Sequence, residues 1–170
     1  MSTTALAHET GIFLIPTETQ VKIKGWLTKF PEDKKKSGVL YALKLVQADN
    51  QGWLSIAAMD AVARFLGLPK IAVYEVASFY SMYELKPVGR HVLSICTNIS
   101  CQLNGCENIV KHLKARLGID WHQTTSDGRF TLKPVECLAA CDLAPVLQVG
   151  EATHGHLTPE SLDALLETLA

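Results

Sequence analysis

From Thr17 to about Ser81 the apolar residues recur at helical steps. Val21, Ile23, Trp26, Leu27 and Phe30 form the first set, with Thr17 or Thr19 as its cap and Pro31 as its end. Val39, Leu40, Leu43 and Val46 predict a second helix over 37–49. Ser55 caps a third that turns Ile56, Met59, Val62, Ala63 and Leu66 inward; Gly67 falls where a left-handed C-cap is needed, and Leu68-Pro69 closes it. Pro69 also suits the first turn of a fourth helix, with Val73, Val76, Ala77 and Phe79-Tyr80 as its apolar positions. Four helices with short connections predict a small bundle.

The texture changes at Leu85-Lys86-Pro87-Val88-Gly89. Beyond it, His91–Ile95 is β-like and leads into Cys96. Residues 105–117 are helical, with Ile109, Val110, Leu113 and Leu117 on one face and Gly118 as the stop. Ser126-Asp127-Gly128 turns the chain into a β-like run over 129–136, which ends at Cys137. Val146–Val149 is a further short strand, and Thr158-Pro159 opens a terminal helix. The order β-α-β-β-α predicts helices packed on a small mixed sheet. The chain therefore divides into an N-terminal arm over 1–16, a helical bundle over 17–86 and a mixed domain over 87–170, α+β overall.

The 170 residues carry 16 Lys and Arg against 17 Asp and Glu, a net charge of −1. That balance gives no electrostatic footprint for nucleic acid. A hydrophobic share of 48% with 19% charged residues reads as a packed globule. The long uncharged stretch from Val92 to Cys106 is interrupted by Ser, Asn, Thr and Gln, so no membrane insertion is expected. The first Lys is Lys22, and the apolar run Gly11–Pro16 has no basic flank, so no secretory leader is read. The expected compartment is reducing cytosol, where five cysteines need a purpose other than disulfides.

Four residues separate Cys96 from Cys101, and three separate Cys137 from Cys141. Each pair follows a predicted strand, so both pairs can project from one end of the sheet. Structural zinc usually takes tighter pairs, whereas wider ones suit two irons bridged by sulfide, each held by two thiolates. Leu138, Ala139, Ala140, Leu143, Ala144 and Pro145 around the second pair predict a dry shell. Spacing thus favours a 2Fe–2S centre, with zinc or a redox disulfide as the alternatives. It leaves the first pair open between 96/101 and 101/106. Cys106, in the first turn of a predicted helix, reads as a small packing residue, or else as an acidified thiol at a helix N-terminus.

Further motifs accompany the cysteines: Gly52-Trp53-Leu54, Val73-Tyr74-Glu75-Val76-Ala77-Ser78-Phe79-Tyr80, Pro87-Val88-Gly89-Arg90-His91, and the stretch from Thr124 to Thr131. With Cys96-Thr97, Cys101, Val135-Glu136-Cys137-Leu138-Ala139-Ala140-Cys141 and Ala144-Pro145-Val146, the sequence resembles the NuoE-type family. These are the small ferredoxin-like subunits of the NADH-dehydrogenase module of respiratory complex I. The resemblance implies a helical bundle followed by a thioredoxin-like 2Fe–2S ferredoxin domain. It assigns the cluster ligands to Cys96, Cys101, Cys137 and Cys141 and leaves Cys106 out. The chain departs from the family at Ala139, where Gly is more usual, and at Cys106, where another small residue is.

The resemblance also implies a function: an electron-transfer subunit of an NADH:quinone oxidoreductase whose cluster exchanges one electron with FMN. FMN, NADH and a 4Fe–4S centre are expected on a partner flavoprotein, since this chain has neither Gly-x-Gly-x-x-Gly after a strand nor a P-loop. No catalytic residue is expected here. The complex would place the chain on a cytoplasmic-side peripheral arm, with the cluster off the direct path to quinone. The alternatives are the equivalent diaphorase subunit of an NAD-dependent hydrogenase or formate dehydrogenase, and a structural zinc adaptor. Residues 1–16 and the bundle are the expected contact surface for the partner. Lys34-Lys35-Lys36, Lys111, Lys114 and Arg116 read as solvated cations, His154 and His156 as a turn rather than metal ligands, and Trp26, Trp53 and Trp121 as core anchors.

Overall fold

The computed structural model describes residues 11–169, so the first ten residues of the expected arm lie outside the described residues. The chain forms two compact units that divide between Pro87 and Val88.

The first unit contains α1 (Thr17–Leu27), a 3-10 segment (Glu32–Gly38), α2 (Val39–Asp49), α3 (Ile56–Leu66) and α4 (Lys70–Phe79). Helix α3 follows its local signals: Ser55 Oγ accepts from the Ala58 amide at 3.1 Å, and Gly67 takes φ +66° at the C-cap. Helix α1 differs. Pro16 precedes it and accepts the Gln20 amide at 2.9 Å, so Thr17 is already helical and no threonine side chain caps it. The Thr19 hydroxyl instead donates to Asp49 Oδ2 at 2.7 Å, tying α1 to the end of α2.

The core is narrower than the apolar pattern. Ile23, Val39, Ala42, Leu43, Val46, Val62, Leu66 and Val73 are buried, while Val21, Leu40, Ile56 and Phe79 face outward. Each neighbouring helix covers a limited arc, and residues at the margin of the apolar stripe fall outside it. Phe13 and Ile15 from the described part of the arm dock into this core, and the alternate Ile12 and Leu14 point away. The lysine run lies in the exposed 3-10 segment. Trp26 and Trp53 are half-buried, not core anchors; Trp26 stacks on Tyr41 with ring centroids 4.4 Å apart.

Tyr83 is buried and donates to the Leu40 carbonyl at 2.7 Å. Burial pushes its phenol up to about 12 from the usual 10. A raised folded-state value means that the neutral phenol is favoured; its contribution to stability is complete below pH 10 and is lost as pH rises through about 12. Tyr83→Phe should cost about 1 kcal/mol near neutrality and flatten the fall in stability over that alkaline window, read by denaturant titration at several pH values.

The second unit contains β1 (His91–Cys96), α5 (Ile99–Leu103), α6 (Cys106–Leu117), β2 (Phe130–Val135), a 3-10 turn (Cys141–Leu143), β3 (Leu147–Val149), β4 (Ala152–His154) and α7 (Pro159–Thr168). The sheet order is β2-β1-β3-β4. Strands β1 and β2 are parallel, in register from His91↔Phe130 to Cys96↔Val135. Strand β3 runs antiparallel to β1, pairing Leu147 with Ile95, and turns through Gly150-Glu151 into β4. Pro134 is accommodated because β2 is an edge strand. Leu93, Ile95, Leu113, Leu132, Leu147 and Leu162 form the centre of this core. Thr158 and Ser161 cap α7 reciprocally, with Pro159 in its first turn. Short elements α5 and β4 were not expected, and Trp121 is half-buried.

Candidate metal centre

Parallel pairing places the C-terminal ends of β1 and β2 side by side, so Cys96 at the end of β1 lies close to the chain leaving β2 toward Cys137. Cys96 Sγ stands 3.8 Å from the Glu136 carbonyl. Beyond Cys96, the Thr97 amide donates to the Val135 carbonyl at 2.9 Å. Asn98 Oδ1 then accepts from the Ile99 amide at 2.9 Å and caps α5, whose third residue is Cys101. Antiparallel β3 starts at the same end of the sheet: the Cys96 amide donates to the Val146 carbonyl at 3.1 Å, which brings the 141–146 segment alongside.

The sulfurs sit in distinct surroundings. Cys96, Cys101 and Cys106 are buried; Cys137 and Cys141 are exposed. The dry shell expected around the second pair is only partial within this chain: Pro145 is buried and Leu138, Ala140, Leu143 and Ala144 pack half-buried against the core, but Ala139 is exposed along with the two thiols.

Burial works against ionising Cys96. The amides of Asn98 and Leu138 and the thiols of Cys101 and Cys137 outweigh it, and hold the Cys96 thiol below its ordinary range. Burial, then the neighbouring Cys96, pushes Cys101 up to about 11, opposed by the Val146 amide. The Ala139 amide donates to Cys137 Sγ at 3.2 Å. The structure thus draws Cys96, Cys101 and Cys137 together, and leaves Cys141 exposed at the start of the 3-10 turn in the same loop. Among the described residues, no group of three or more His, Cys, Asp or Glu side chains is assembled for a single metal ion. A two-iron centre asks for something else: two thiol pairs, with amide hydrogens turned toward sulfur. The soft donors and the amides of Asn98, Leu138, Ala139 and Val146 fit that group.

Two backbone features hold the second pair. Ala139 has φ +55°, a left-handed conformation that an L side chain tolerates poorly. This is the position where Gly was expected from the family pattern, and the strain accompanies the amide aimed at Cys137. Ala139→Gly should raise the midpoint of thermal unfolding, by up to about 1 kcal/mol in stability, with the loop conformation kept. The turn carrying Cys141 is buttressed by the 155–157 segment. His156 and Leu157 donate amides to the Leu143 and Pro145 carbonyls at 2.6 and 3.3 Å, and Gly155 packs against the Leu143 backbone. The Ala144–Pro145 bond is cis.

Other candidates have structural partners. His154 lies in β4 and His156 in this buttress. Lys114 pairs with Asp120 at 2.5 Å and lies over the Trp121 ring, and Arg116 reaches Asp163 of α7. The capping role of Asn98 was missed, although Asn shortly before a cysteine-bearing helical turn is a readable signal.

Similarity to known proteins points to an iron–sulfur family. The family described as thioredoxin-like [2Fe-2S] ferredoxin matches residues 23–170. An NADH-quinone oxidoreductase subunit of Rickettsia bellii is 41% identical over 143 residues, 84% of this chain and 86% of that protein. Its counterpart in Rhizobium meliloti, also named as an NADH-quinone oxidoreductase subunit, is 42% identical over 147 residues, 86% of each chain. Among solved structures, an NAD+-reducing [NiFe]-hydrogenase in the air-oxidised state aligns with TM-score 0.67 at 24% identity, over 78% of this chain. The alignment spans only 22% of that longer chain and speaks for the fold alone.

Proposed function

The chain belongs to the thioredoxin-like [2Fe-2S] ferredoxin family, and on that premise we propose that it is the small electron-transfer subunit of an NADH-quinone oxidoreductase. In this reading Cys96, Cys101, Cys137 and Cys141 hold one 2Fe–2S cluster. The observation that carries it is the meeting of Cys96, Cys101 and Cys137 at the shared end of β1 and β2, with backbone amides directed at their sulfurs.

When bound, the cluster supplies a one-electron store. The residues around it decide how readily that store fills. Reduction adds negative charge, which the buried Cys96–Cys101 side disfavours. The amides of Asn98, Leu138, Ala139 and Val146 offset this, because a hydrogen pointed at sulfur stabilises the more negative state. The exposed Cys137 and Cys141 face outward, where another subunit can approach.

The complex supplies what this chain lacks. We assign FMN and NADH to a flavoprotein partner carrying a 4Fe–4S centre, with the whole assembly as a cytoplasmic-side peripheral arm of a membrane-bound enzyme. No described helix is long and apolar enough to cross a membrane. Identity of 41–42% to quinone-reductase subunits favours this assignment over a hydrogenase or formate dehydrogenase diaphorase.

Iron, zinc and acid-labile sulfide should be measured on anaerobically purified chain, with EPR before and after dithionite. Iron and sulfide in equal amounts, with a signal only after reduction, is the expected result. Zinc without sulfide in protein from its native host would overturn it. Co-purification with a membrane arm, as opposed to a hydrogenase or molybdenum subunit, identifies the owning complex.

A further inference from the structure

The fifth cysteine lies outside the proposed ligand set, yet it touches that set. Cys106 opens α6 immediately after Gly105, whose φ of +87° turns the chain from α5 into the new helix. Its side chain is 2% exposed, and its Sγ lies 3.1 Å from the Cys96 carbonyl oxygen, with the thiol as donor. The peptides flanking Cys96 are already anchored on two sides, by its own amide to Val146 and by the Thr97 amide to Val135. The Cys106 hydrogen adds a third anchor, on the carbonyl itself.

We propose that Cys106 is a positioning residue for the cluster: its S–H···O=C hydrogen bond fixes the Cys96 peptide and makes the cluster easier to reduce. A bare carbonyl dipole beside a centre that gains negative charge opposes reduction. A donor on its oxygen draws electron density away and lessens that opposition. Cys106 is buried at the floor of a hollow lined by Thr97, Val110 and Trp121, so in the folded parent the thiol and not water meets this carbonyl, and a side chain that fills its space keeps water away. This role rests on the reading of Cys96 as a ligand, and goes beyond the packing role that the sequence suggested.

The test uses the full chain with its cluster and four variants. Cys96→Ala examines the premise: a cluster retained there, by absorbance and reduced-state EPR, removes the ligand reading and the role of Cys106 with it. Cys106→Ser keeps a hydrogen donor. Cys106→Val fills the space of the thiol without one, and Cys106→Ala does neither. The midpoint potential is measured for each, with the melting temperature alongside.

A donor role orders the potentials by hydrogen-bonding capacity. Cys106→Ser should match or exceed the parent and Cys106→Val should shift the reduction equilibrium about threefold toward the oxidised state, with Cys106→Ala between them where water from the adjoining hollow replaces the donor. At 59 mV per tenfold for one electron, the threefold shift lowers the potential by about 28 mV. A packing role orders the melting temperatures by volume and leaves potentials alone. Cys106→Val at the parent potential would therefore overturn the proposal. Cluster lost from Cys106→Val and Cys106→Ala but kept by Cys106→Ser also supports it; loss from all three, with Cys96→Ala behaving as a ligand variant, goes against it.

Discussion

Cys101→Ala is expected to leave the chain without its cluster while the second unit stays folded. Cys101 is 1% exposed on α5, so solvent has no ready access to the vacated coordination position, and the nearest spare thiol, Cys106, is engaged with the Cys96 carbonyl. Removing groups that only support a metal ligand costs roughly 10–100-fold in affinity, so loss of a direct ligand should cost more. Cys101 belongs to the same buried cluster as Leu93, Ile95, Leu113, Leu132, Leu147 and Leu162, so the change to Ala leaves a small cavity there, but the six large side chains that remain should keep the unit folded and separate cluster loss from unfolding. Iron per chain, visible absorbance and reduced-state EPR should all collapse, with far-ultraviolet circular dichroism little changed. An unaltered spectrum would falsify the ligand assignment.

Gly155→Ala should be nearly as damaging, from a position that carries no chemistry. A Cβ placed on Gly155 would come 2.8 Å from the Leu143 carbonyl oxygen and 3.3 Å from its Cα. These are backbone atoms and cannot swing aside as a side-chain tip would. Leu143 ends the 3-10 turn that begins at Cys141, so relief of the clash must displace the turn holding that thiol. Overpacking of this kind costs about 1–3 kcal/mol. A melting temperature lower by several degrees, together with reduced iron content, is expected. Gly25→Ala, in open space within α1, supplies the control and should be neutral or stabilising. Equal behaviour of the two variants would count against the buttress.

The helices of the first unit were legible wherever a local signal marks an end, as at Ser55 and Gly67. They were less legible where tertiary contact redirects a side chain, as when Thr19 bonds Asp49 instead of capping its own helix. Inward-facing residues were overcounted because periodicity marks an apolar stripe and says nothing of how wide an arc the neighbours cover. Val21, Ile56 and Phe79 are the cases in point. In the second unit, α5 and β4 are too short to show a period. The meeting of Cys96 and Cys101 with Cys137 was foreshadowed because each of the two stretches follows a strand; that those strands lie parallel and adjacent is a long-range fact. The exposure of Cys137 and Cys141 was hidden for the opposite reason. Apolar neighbours in sequence suggest shelter, but a loop of Leu and Ala at the end of a sheet needs another element above it to be dry.

The register of β1 on β2 has a bearing on the order in which this protein is made. Cys96 Sγ and the Glu136 carbonyl are neighbours at 3.8 Å although they stand 40 positions apart in the chain, with α5 and α6 between them. Such a pairing closes a long loop, an entropic cost that is lessened once the intervening helices have compacted the chain. An unfolded polypeptide keeps Cys96 far from Cys137, whereas the folded sheet brings them to one end. If these thiols hold the proposed cluster, the sheet should form first and the cofactor enter last, unlike small zinc modules, which have no fold to wait for until the metal arrives.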